Sequence, residues 1–318
     1  MPEKLLLLYP AQKSHLARLK KIAPDWNIIA TTDKVVAKKQ IELATAVMGN
    51  HHLCESIPFN KKLAWVQTNS VGVDVILKKA GKYLKNKLFT NAKNVYTEEM
   101  CEHTIGLILL LQRNLHLLRD AQNEHRWQRP EHLGLLKSKN ILILGYGSLG
   151  KSIGEKLLCF GSTVYGVDTT NQHFLVKAGK KNNTKHWKEL LPITDILIVS
   201  LPFTKITRNI IDKSVLTKLP KTAFVINVGR PETLDEAALI DLLQLQKISG
   251  AALDVFSSEP LKPSHPAWLV KNLFISPHCA RSKETTPPFQ FEKLFEENFK
   301  RYVNKQTLLN LVDKNKGY

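Results

Sequence analysis

The chain is expected to fold as an α/β protein of two doubly wound parallel-sheet domains with a cleft between them, and three observations lead there. Short apolar runs alternate with longer polar, helix-like stretches along the 318 residues, the pattern of parallel strands covered on both faces by helices. One such run, Ile141–Leu142–Ile143–Leu144, passes directly into Gly145–Tyr146–Gly147–Ser148–Leu149–Gly150. At 43 % hydrophobic residues, a chain of this length supports two moderate cores better than one large core.

Taken in order, Leu5–Leu8, Ile28–Ala30, Ala46–Met48 and Ala64–Val66 read as short buried strands of a first α/β unit. A long helical pattern follows over Thr97–Leu118, with Thr97 placed to cap it and Glu98 and Glu99 in its first turn. Arg119–Lys139 is polar and holds Pro130 and Gly134, as a connection would. Regular βα alternation then begins. Its strands are Ile141–Leu144, Thr163–Val167, Ile196–Ser200, Ala223–Asn227, Gly250–Leu253 and Leu273–Ile275, with helices such as Ser152–Phe160 and Asp235–Leu245 between them. One more helix is expected over Phe289–Tyr302.

The glycine run reads as a strand, a tight turn and a helix start built to hold a dinucleotide in a Rossmann-like domain. Gly145 permits the turn, Gly147 lets backbone approach a pyrophosphate, and Gly150 lets the helix pack closely on the sheet. The helix N-terminus offers unpaired N–H groups and a positive dipole end to phosphate. Asp168 closes the next strand-like run 23 residues after Gly145, where a carboxylate accepts both adenosine ribose hydroxyls and repels a 2′-phosphate. NAD(H) is therefore the expected cofactor. Lys177, Lys180 and Lys181 lie a short way downstream and would partly offset that repulsion.

Composition excludes other classes. The formal charge is +18, but the lysines are dispersed without interleaved aromatic platforms, so nucleic acid is not expected as the ligand. Four scattered cysteines do not make a disulfide framework, which points to a reducing, cytoplasmic setting. The longest apolar stretch, Ile105–Leu111, falls far below the ~20 residues of a membrane span. His51–His52 with Cys54, and Cys101 with His103, lack further ligands at structural-zinc spacing, so no metal is expected.

Ligands of open α/β sheets bind beyond the carboxyl ends of the strands, and three polar residues follow such ends: Arg230, Glu259 and His278. The set suits reduction of a 2-oxo acid. A guanidinium clamps a carboxylate or carbonyl oxygen bidentately, a histidine exchanges a proton with that oxygen, and a neighbouring carboxylate orients the ring. Each has an ordinary alternative: Arg230 as a structural ion-pair partner, Glu259 as a turn cap before Pro260, and His278 as a turn histidine after Pro277. Cys279 reads as a pocket-lining or buried cysteine, and His103 as an interdomain packing or hydrogen-bonding residue.

The chain resembles the D-isomer-specific 2-hydroxy acid dehydrogenases, which include glyoxylate and hydroxypyruvate reductases. The resemblance rests on Asn69–Ser70–Val71–Gly72–Val73–Asp74, on Glu102–His103–Thr104–Ile105–Gly106 with Arg113 and Trp127 beyond, and on the glycine loop. It continues through Leu201–Pro202–Phe203–Thr204 with Thr207, Asn227–Val228–Gly229–Arg230, Leu253–Asp254–Val255–Phe256 with Glu259, and Ser276–Pro277–His278–Cys279–Ala280. The spacings of 29 and 19 residues within the arginine, glutamate and histidine set agree with that family.

The resemblance implies Arg230 as the substrate-orienting arginine, His278 as the acid/base and Glu259 as its coupled carboxylate. It sets Gly145, Tyr146, Gly147, Ser148, Leu149, Gly150, Asp168, Leu201, Pro202, Thr207, Val228, Gly229, Arg230, Asp254 and His278 along the cofactor, with Asp254 on the nicotinamide carboxamide. Ser70, Val71 and Gly72, with Arg230 and His278, would hold the substrate, the backbone N–H groups of the first domain taking its carboxylate. It implies a substrate-binding, flavodoxin-like domain over residues 1–100 plus 289–318, an NAD-binding domain over 101–288, a hinge closing the cleft, and a homodimer through the NAD-binding domain. Pro231 and Arg281 depart from the family, which favours glycine at both places. Pro231 biases Arg230 toward an extended backbone, and Arg281 adds a positive charge near the expected cleft mouth. Phosphoglycerate dehydrogenase is a less attractive reading, because no regulatory domain follows the coenzyme unit. The expected reaction interconverts a small 2-oxo acid and its D-2-hydroxy acid. Two alternatives stand beside it: a glyoxylate/hydroxypyruvate reductase working mainly in the reductive direction, and an NAD-sensing corepressor or scaffold.

Overall fold

The opening strand, β1 (Lys4–Leu7), is buried along its whole length and becomes the centre of a sheet. The computed structural model describes residues 2–60, 62–170, 173–178, 186–281 and 289–318. The chain divides into two units, Met1–Tyr96 with Lys283–Tyr318, and Thr97–Ser282, a few residues before the division expected at residue 100.

In the first unit, β1 is followed by α1 (Lys13–Ile22), β2 (Asn27–Ala30), α2 (Lys34–Ile41), β3 (Ala46–Met48), α3 (Leu53–Ser56), β4 (Trp65–Gln67), α4 (Asp74–Leu84) and β5 (Leu88–Thr90). The strands lie in the order β2-β1-β3-β4-β5, all parallel, which is the flavodoxin-like doubly wound order. β5 has no counterpart among the strands that the sequence pattern predicts. Alternate strand residues point to opposite faces. Leu6, Leu8, Val47 and Val66 pack with Ile41, Leu53, Ile76 and Ala80 of α2, α3 and α4. Asp33 starts α2 by accepting the Val36 N–H at 2.8 Å, one of the orphan donors of a helix start.

The second unit opens with α5 (Thr97–Gln112) and α6 (Leu115–Asn123). The single helix expected over Thr97–Leu118 is therefore two, because Asn114 adopts a left-handed backbone with φ 53° and interrupts the ladder where apolar periodicity alone runs on. Next come β6 (Asn140–Leu144), α7 (Ser148–Cys159), β7 (Thr163–Thr170), β8 (His173–Ala178), β9 (Ile196–Val199), α8 (Lys213–Leu216), β10 (Phe224–Asn227), α9 (Glu236–Gln244), β11 (Gly250–Leu253) and β12 (Leu273–Ile275). The sheet order is β12-β11-β10-β9-β6-β7-β8. It reverses direction between β6 and β9, the switch point at which such sheets bind nucleotides. β8 departs from the expected pattern, since it pairs antiparallel with β7. Asp168 consequently does not close β7: the strand runs on to Thr170, and Asp168 sits opposite Leu175.

Both faces of this sheet are covered. Ile141, Ile143, Ile198 and Ile226 meet Leu107, Ile108 and Leu111 of α5 and Ile153 and Leu157 of α7. Leu142, Leu144, Val199, Val225 and Leu253 meet Leu239, Leu242 and Leu243 of α9 together with Trp187. Among the described residues, no helix is long and apolar enough to cross a membrane.

The chain then returns to the first unit as α10 (Glu292–Val303). Its buried Phe295 and Phe299 pack edge-on against Tyr9 and Trp26, and Tyr302 stacks on Trp65 at 5.1 Å. A polar pin completes the contact. Buried His15 of α1 lies 2.6 Å through Nδ1 from Glu296 Oε1, while its Nε2 is 2.8 Å from the Tyr9 hydroxyl. Arg18 donates to Glu296 at 2.8 Å and to Glu292 at 3.2 Å.

Candidate active site

All parallel strands of the second unit deliver their carboxyl ends to one edge, so the loops after β6, β9, β10, β11 and β12 gather there. The glycine loop follows β6. Gly145 has φ 97°, and a Cβ on it would lie 2.7 Å from the Ser200 carbonyl oxygen. The sequence thus needs glycine twice over at this point, for conformation and for space. The N–H groups of Gly145 and Tyr146 both donate to the Val167 carbonyl at 2.9 Å, which ties the turn to β7 immediately before Asp168. The Tyr146 ring turns inward against Gly154 and Gly166 and is buried, and that burial pushes its phenol pKa up.

Gly147 is exposed, with nothing within 4 Å of a built Cβ, and precedes α7. Ser148 and Leu149 are half-buried in the first turn. Gly150 lies so close under the loop that a Cβ would come 2.2 Å from the Gly145 carbonyl oxygen. Open space at Gly147 beside the first N–H groups of a helix fits the pyrophosphate of a dinucleotide. Asp168 is half-buried on the neighbouring strand. Lys180 and Lys181, and the side chain of Lys177, lie outside the described residues.

The loops after β9 and β10 hold each other. Leu201 and Val228 are buried, and a Cβ on Gly229 would come 2.7 Å from the Leu201 carbonyl oxygen. Thr207 is buried and closes the Pro202–Thr207 turn, donating to the Pro202 carbonyl at 2.7 Å and accepting the Thr204 N–H at 2.8 Å. Asn227 fixes the approach to Arg230: its Oδ1 accepts the Gly229 N–H at 3.0 Å, and its Nδ2 donates to the Arg230 carbonyl at 3.2 Å. Arg230 is half-buried and extended (φ −130°, ψ 140°), as a residue before proline should be. Its Nη1 donates to the Gly229 carbonyl at 3.0 Å.

Glu259 and His278 meet directly. His278 Nδ1 lies 2.7 Å from Glu259 Oε2, while Glu259 Oε1 accepts the Phe256 N–H at 2.9 Å. An ionised carboxylate only accepts, so Nδ1 carries the proton and Nε2 is left for other work. The His278 side chain is 54 % exposed, and its backbone is held at φ 51°, a conformation that a non-glycine residue adopts only where its surroundings impose it.

Asp254 imposes it. This buried carboxylate accepts the Cys279 N–H at 2.9 Å and the Ala280 N–H at 3.1 Å, bracketing the turn on its far side. Its Oδ1 also accepts the Ser276 hydroxyl at 2.5 Å, and His103 Nε2 of α5 stands 2.9 Å from that hydroxyl and 3.5 Å from Oδ1. Burial pushes the Asp254 pKa up, but hydrogen bonds from His103, Ser276 and the two N–H groups outweigh it, and the net displacement is below the usual value.

Two sequence readings are narrowed here. His103 is a hydrogen-bonding residue inside the second unit, reaching Ser276 across 173 positions, a link that periodicity does not reveal. Cys279 is exposed, so of its two readings, pocket-lining or buried, the second falls away. In the first unit, the Ser70–Gly72 turn is closed on itself: Ser70 Oγ donates to the Gly72 carbonyl at 2.9 Å, and Asn91 Nδ2 donates to the Val71 carbonyl at 2.9 Å.

The family profile described as D-isomer specific 2-hydroxyacid dehydrogenase, NAD binding domain, matches residues 105–280, from within α5 through the His278 turn. The chain belongs to this family. A glyoxylate reductase of Aeropyrum pernix is 32 % identical over 234 residues, covering 71 % of this chain and 69 % of that protein. Among solved structures, a D-isomer specific 2-hydroxyacid dehydrogenase family protein from Aeromonas salmonicida is 28 % identical with a TM-score of 0.84, covering 99 % of this chain and all of that one. A D-isomer specific 2-hydroxyacid dehydrogenase from Xanthobacter autotrophicus, solved with NADPH and MES, is 25 % identical with a TM-score of 0.79 over the full length of both chains. As a D-2-hydroxyacid dehydrogenase with two Rossmann-like α/β units, the chain has a pyridine-nucleotide domain in its second unit, and the glycine loop is where the local structure fits that cofactor.

Proposed function

We propose that this D-2-hydroxyacid dehydrogenase interconverts a small 2-oxo acid, of the glyoxylate or hydroxypyruvate class, with its D-2-hydroxy acid, using NAD(H) in preference to NADP(H). The observation that carries the proposal is the 2.7 Å bond between His278 and Glu259 at the strand edge that also bears the glycine loop. When bound, the nicotinamide supplies a hydride to the substrate's carbonyl carbon or takes one from the alcohol carbon. Arg230 holds the substrate's carboxylate and carbonyl oxygen through its planar fork. His278 gives a proton from Nε2 to the carbonyl oxygen during reduction and takes it back during oxidation. Glu259 fixes the ring's direction and the proton on Nδ1. The 2-oxo acid class is supported by the similarity to a glyoxylate reductase.

The NAD(H) preference rests on Asp168, one residue after the carbonyl that anchors the glycine turn. It is tested with a panel of 2-oxo acids and both reduced cofactors, followed at the nicotinamide absorbance, in the parent and in Asp168→Ala. NADH should be preferred by the parent, and the variant should narrow the ratio, each tenfold corresponding to about 1.4 kcal/mol. Equal use of both cofactors by the parent would remove Asp168 from the ribose site. Tight NADH binding without turnover on any acid would favour an NAD-sensing corepressor or scaffold instead.

A homodimer through the second unit belongs to the same proposal. α6 and the stretch after it expose Leu115, Leu117, Leu133, Leu135 and a fully exposed Trp127, surface that a monomer rarely leaves bare. Light scattering should give twice the 36.0 kDa chain mass; a single-chain mass would reject the dimer.

A further inference from the structure

The turn that bears His278 gathers three metal-ligating side chains that the proposed reaction does not use as a set. His103 comes from α5, Asp254 from the end of β11, and Cys279 from the turn itself. One ligand atom of each lies within 4.8 Å of the other two. The Ser276 hydroxyl sits among them, 2.5 Å from Asp254 Oδ1, 2.9 Å from His103 Nε2 and 3.3 Å from Cys279 Sγ. We propose that His103, Asp254 and Cys279 form a site for a thiophilic divalent cation of the zinc type, and that its occupancy inhibits the enzyme.

The donor set selects the ion. One imidazole nitrogen, one carboxylate oxygen and one sulfur suit zinc, which binds these three ligand types in tetrahedral sites, whereas magnesium and calcium take oxygen shells. Zinc bonds of about 2.0–2.3 Å require the three atoms to draw together, and the exposed Cys279 side chain has the freedom to move. The Ser276 hydroxyl rotates aside or becomes the fourth ligand. Coordination takes the proton from the Cys279 thiol and passes it to solvent. Asp254 is already ionised, so the dication meets two negative charges and the site becomes neutral.

The inhibitory half rests on the proposed dehydrogenase reading; occupancy does not. Asp254 anchors the turn through the N–H groups of Cys279 and Ala280, and His278 immediately precedes Cys279. Drawing the sulfur toward His103 therefore displaces the base from its bond with Glu259. Asp254 is also the proposed partner of the nicotinamide carboxamide, so cation and cofactor compete.

The test uses the purified full chain carrying Cys159→Ser, which leaves Cys279 as the exposed thiol among the described residues. Cobalt(II) titration should give a thiolate-to-cobalt charge-transfer band saturating at one equivalent and displaced by zinc. Cys279→Ser should abolish the band. His103→Gln should weaken binding by more than the roughly 10–100-fold that loss of an outer partner costs. Zinc should also slow labelling of Cys279 by an aromatic disulfide. A missing band, or one that survives Cys279→Ser, overturns the site. Zinc should inhibit turnover, with recovery on chelation and no inhibition in Cys279→Ser; occupied protein turning over at the parental rate overturns the inhibitory role. If no 2-oxo acid is turned over, the cobalt spectrum still decides occupancy, so the two readings fail separately.

Discussion

Gly147→Ala separates the cost of a glycine to the fold from its value to the ligand. The residue sits at φ −77°, ψ −156°, which alanine adopts freely, and its built Cβ meets nothing within 4 Å. Folding should therefore be unharmed or improved by roughly 0.4–1 kcal/mol, through the reduced freedom of the unfolded chain. At about 2–4 °C per kcal/mol for a unit of this size, the melting temperature should stay level or rise slightly. Binding should behave oppositely. A phosphate oxygen must come within about 2.9 Å of backbone N–H groups at the start of α7, and the new methyl stands on that approach, so NADH affinity should fall at least about tenfold, or 1.4 kcal/mol. Gly150→Ala supplies the contrast. Its Cβ would lie 2.2 Å from the Gly145 carbonyl oxygen, where ordinary contact begins at 3.4 Å, so backbone must shift at a cost of about 1–3 kcal/mol. That variant should lose stability and affinity together. Differential scanning fluorimetry and titration of NADH fluorescence read the two effects independently. A Gly147→Ala protein that binds NADH as the parent does would show that the pyrophosphate does not lie over this loop.

Three further outcomes are expected. His278→Ala should lower kcat by roughly 10²–10⁴-fold, the range of a positioned proton donor, while NADH affinity stays near parental; unchanged turnover would remove it from the chemistry. Arg230→Lys should lower kcat/KM for every 2-oxo acid together, because a point charge does not reproduce a planar fork; loss confined to NADH binding would place Arg230 on the cofactor. The Asp254 carboxyl is held below its ordinary value in the fold, so its stabilisation is present above the unfolded value near 3.9 and is lost as pH falls through the lower folded value. Melting curves of the parent and Asp254→Asn between about pH 2 and 7 should therefore converge toward the acid end, and a constant gap would deny the carboxylate this role.

What the sequence conveyed was what local pattern can convey. The glycine loop is legible because turn, phosphate approach and helix packing each demand a residue without a side chain within six positions. Buried parallel strands are legible as short apolar runs, down to Ala46–Met48. β5 is not legible because Leu88–Thr90 offers only two apolar residues, one of them exposed, behind a lysine-rich stretch. The break between α5 and α6 escaped because Asn114 changes one backbone angle without disturbing apolar spacing. β8 is not legible because an acid after four apolar or small residues reads as a strand end, while the backbone continues through Asp168 into a hairpin. The contact between His103 and Ser276 is a product of tertiary folding, and neither residue's surroundings in the sequence announce it. Arg230, Glu259 and His278 are candidates because they follow strand ends, and the fold brings the last two within 2.7 Å; the role of Asp254 in holding the turn needed its backbone partners.

The pin between α1 and α10 joins residues 281 positions apart, and that separation sets an order of events during synthesis. β1–β5 leave the ribosome early, yet one face of their sheet, with Tyr9, Trp26 and Trp65, waits for the aromatic residues of α10. At about 5–20 residues per second, the intervening stretch occupies on the order of 10–40 s, during which the second unit is free to fold and the first is not. The half that begins the chain is thus the half that finishes last, and a nascent chain stalled before α10 presents a bare apolar sheet to chaperones.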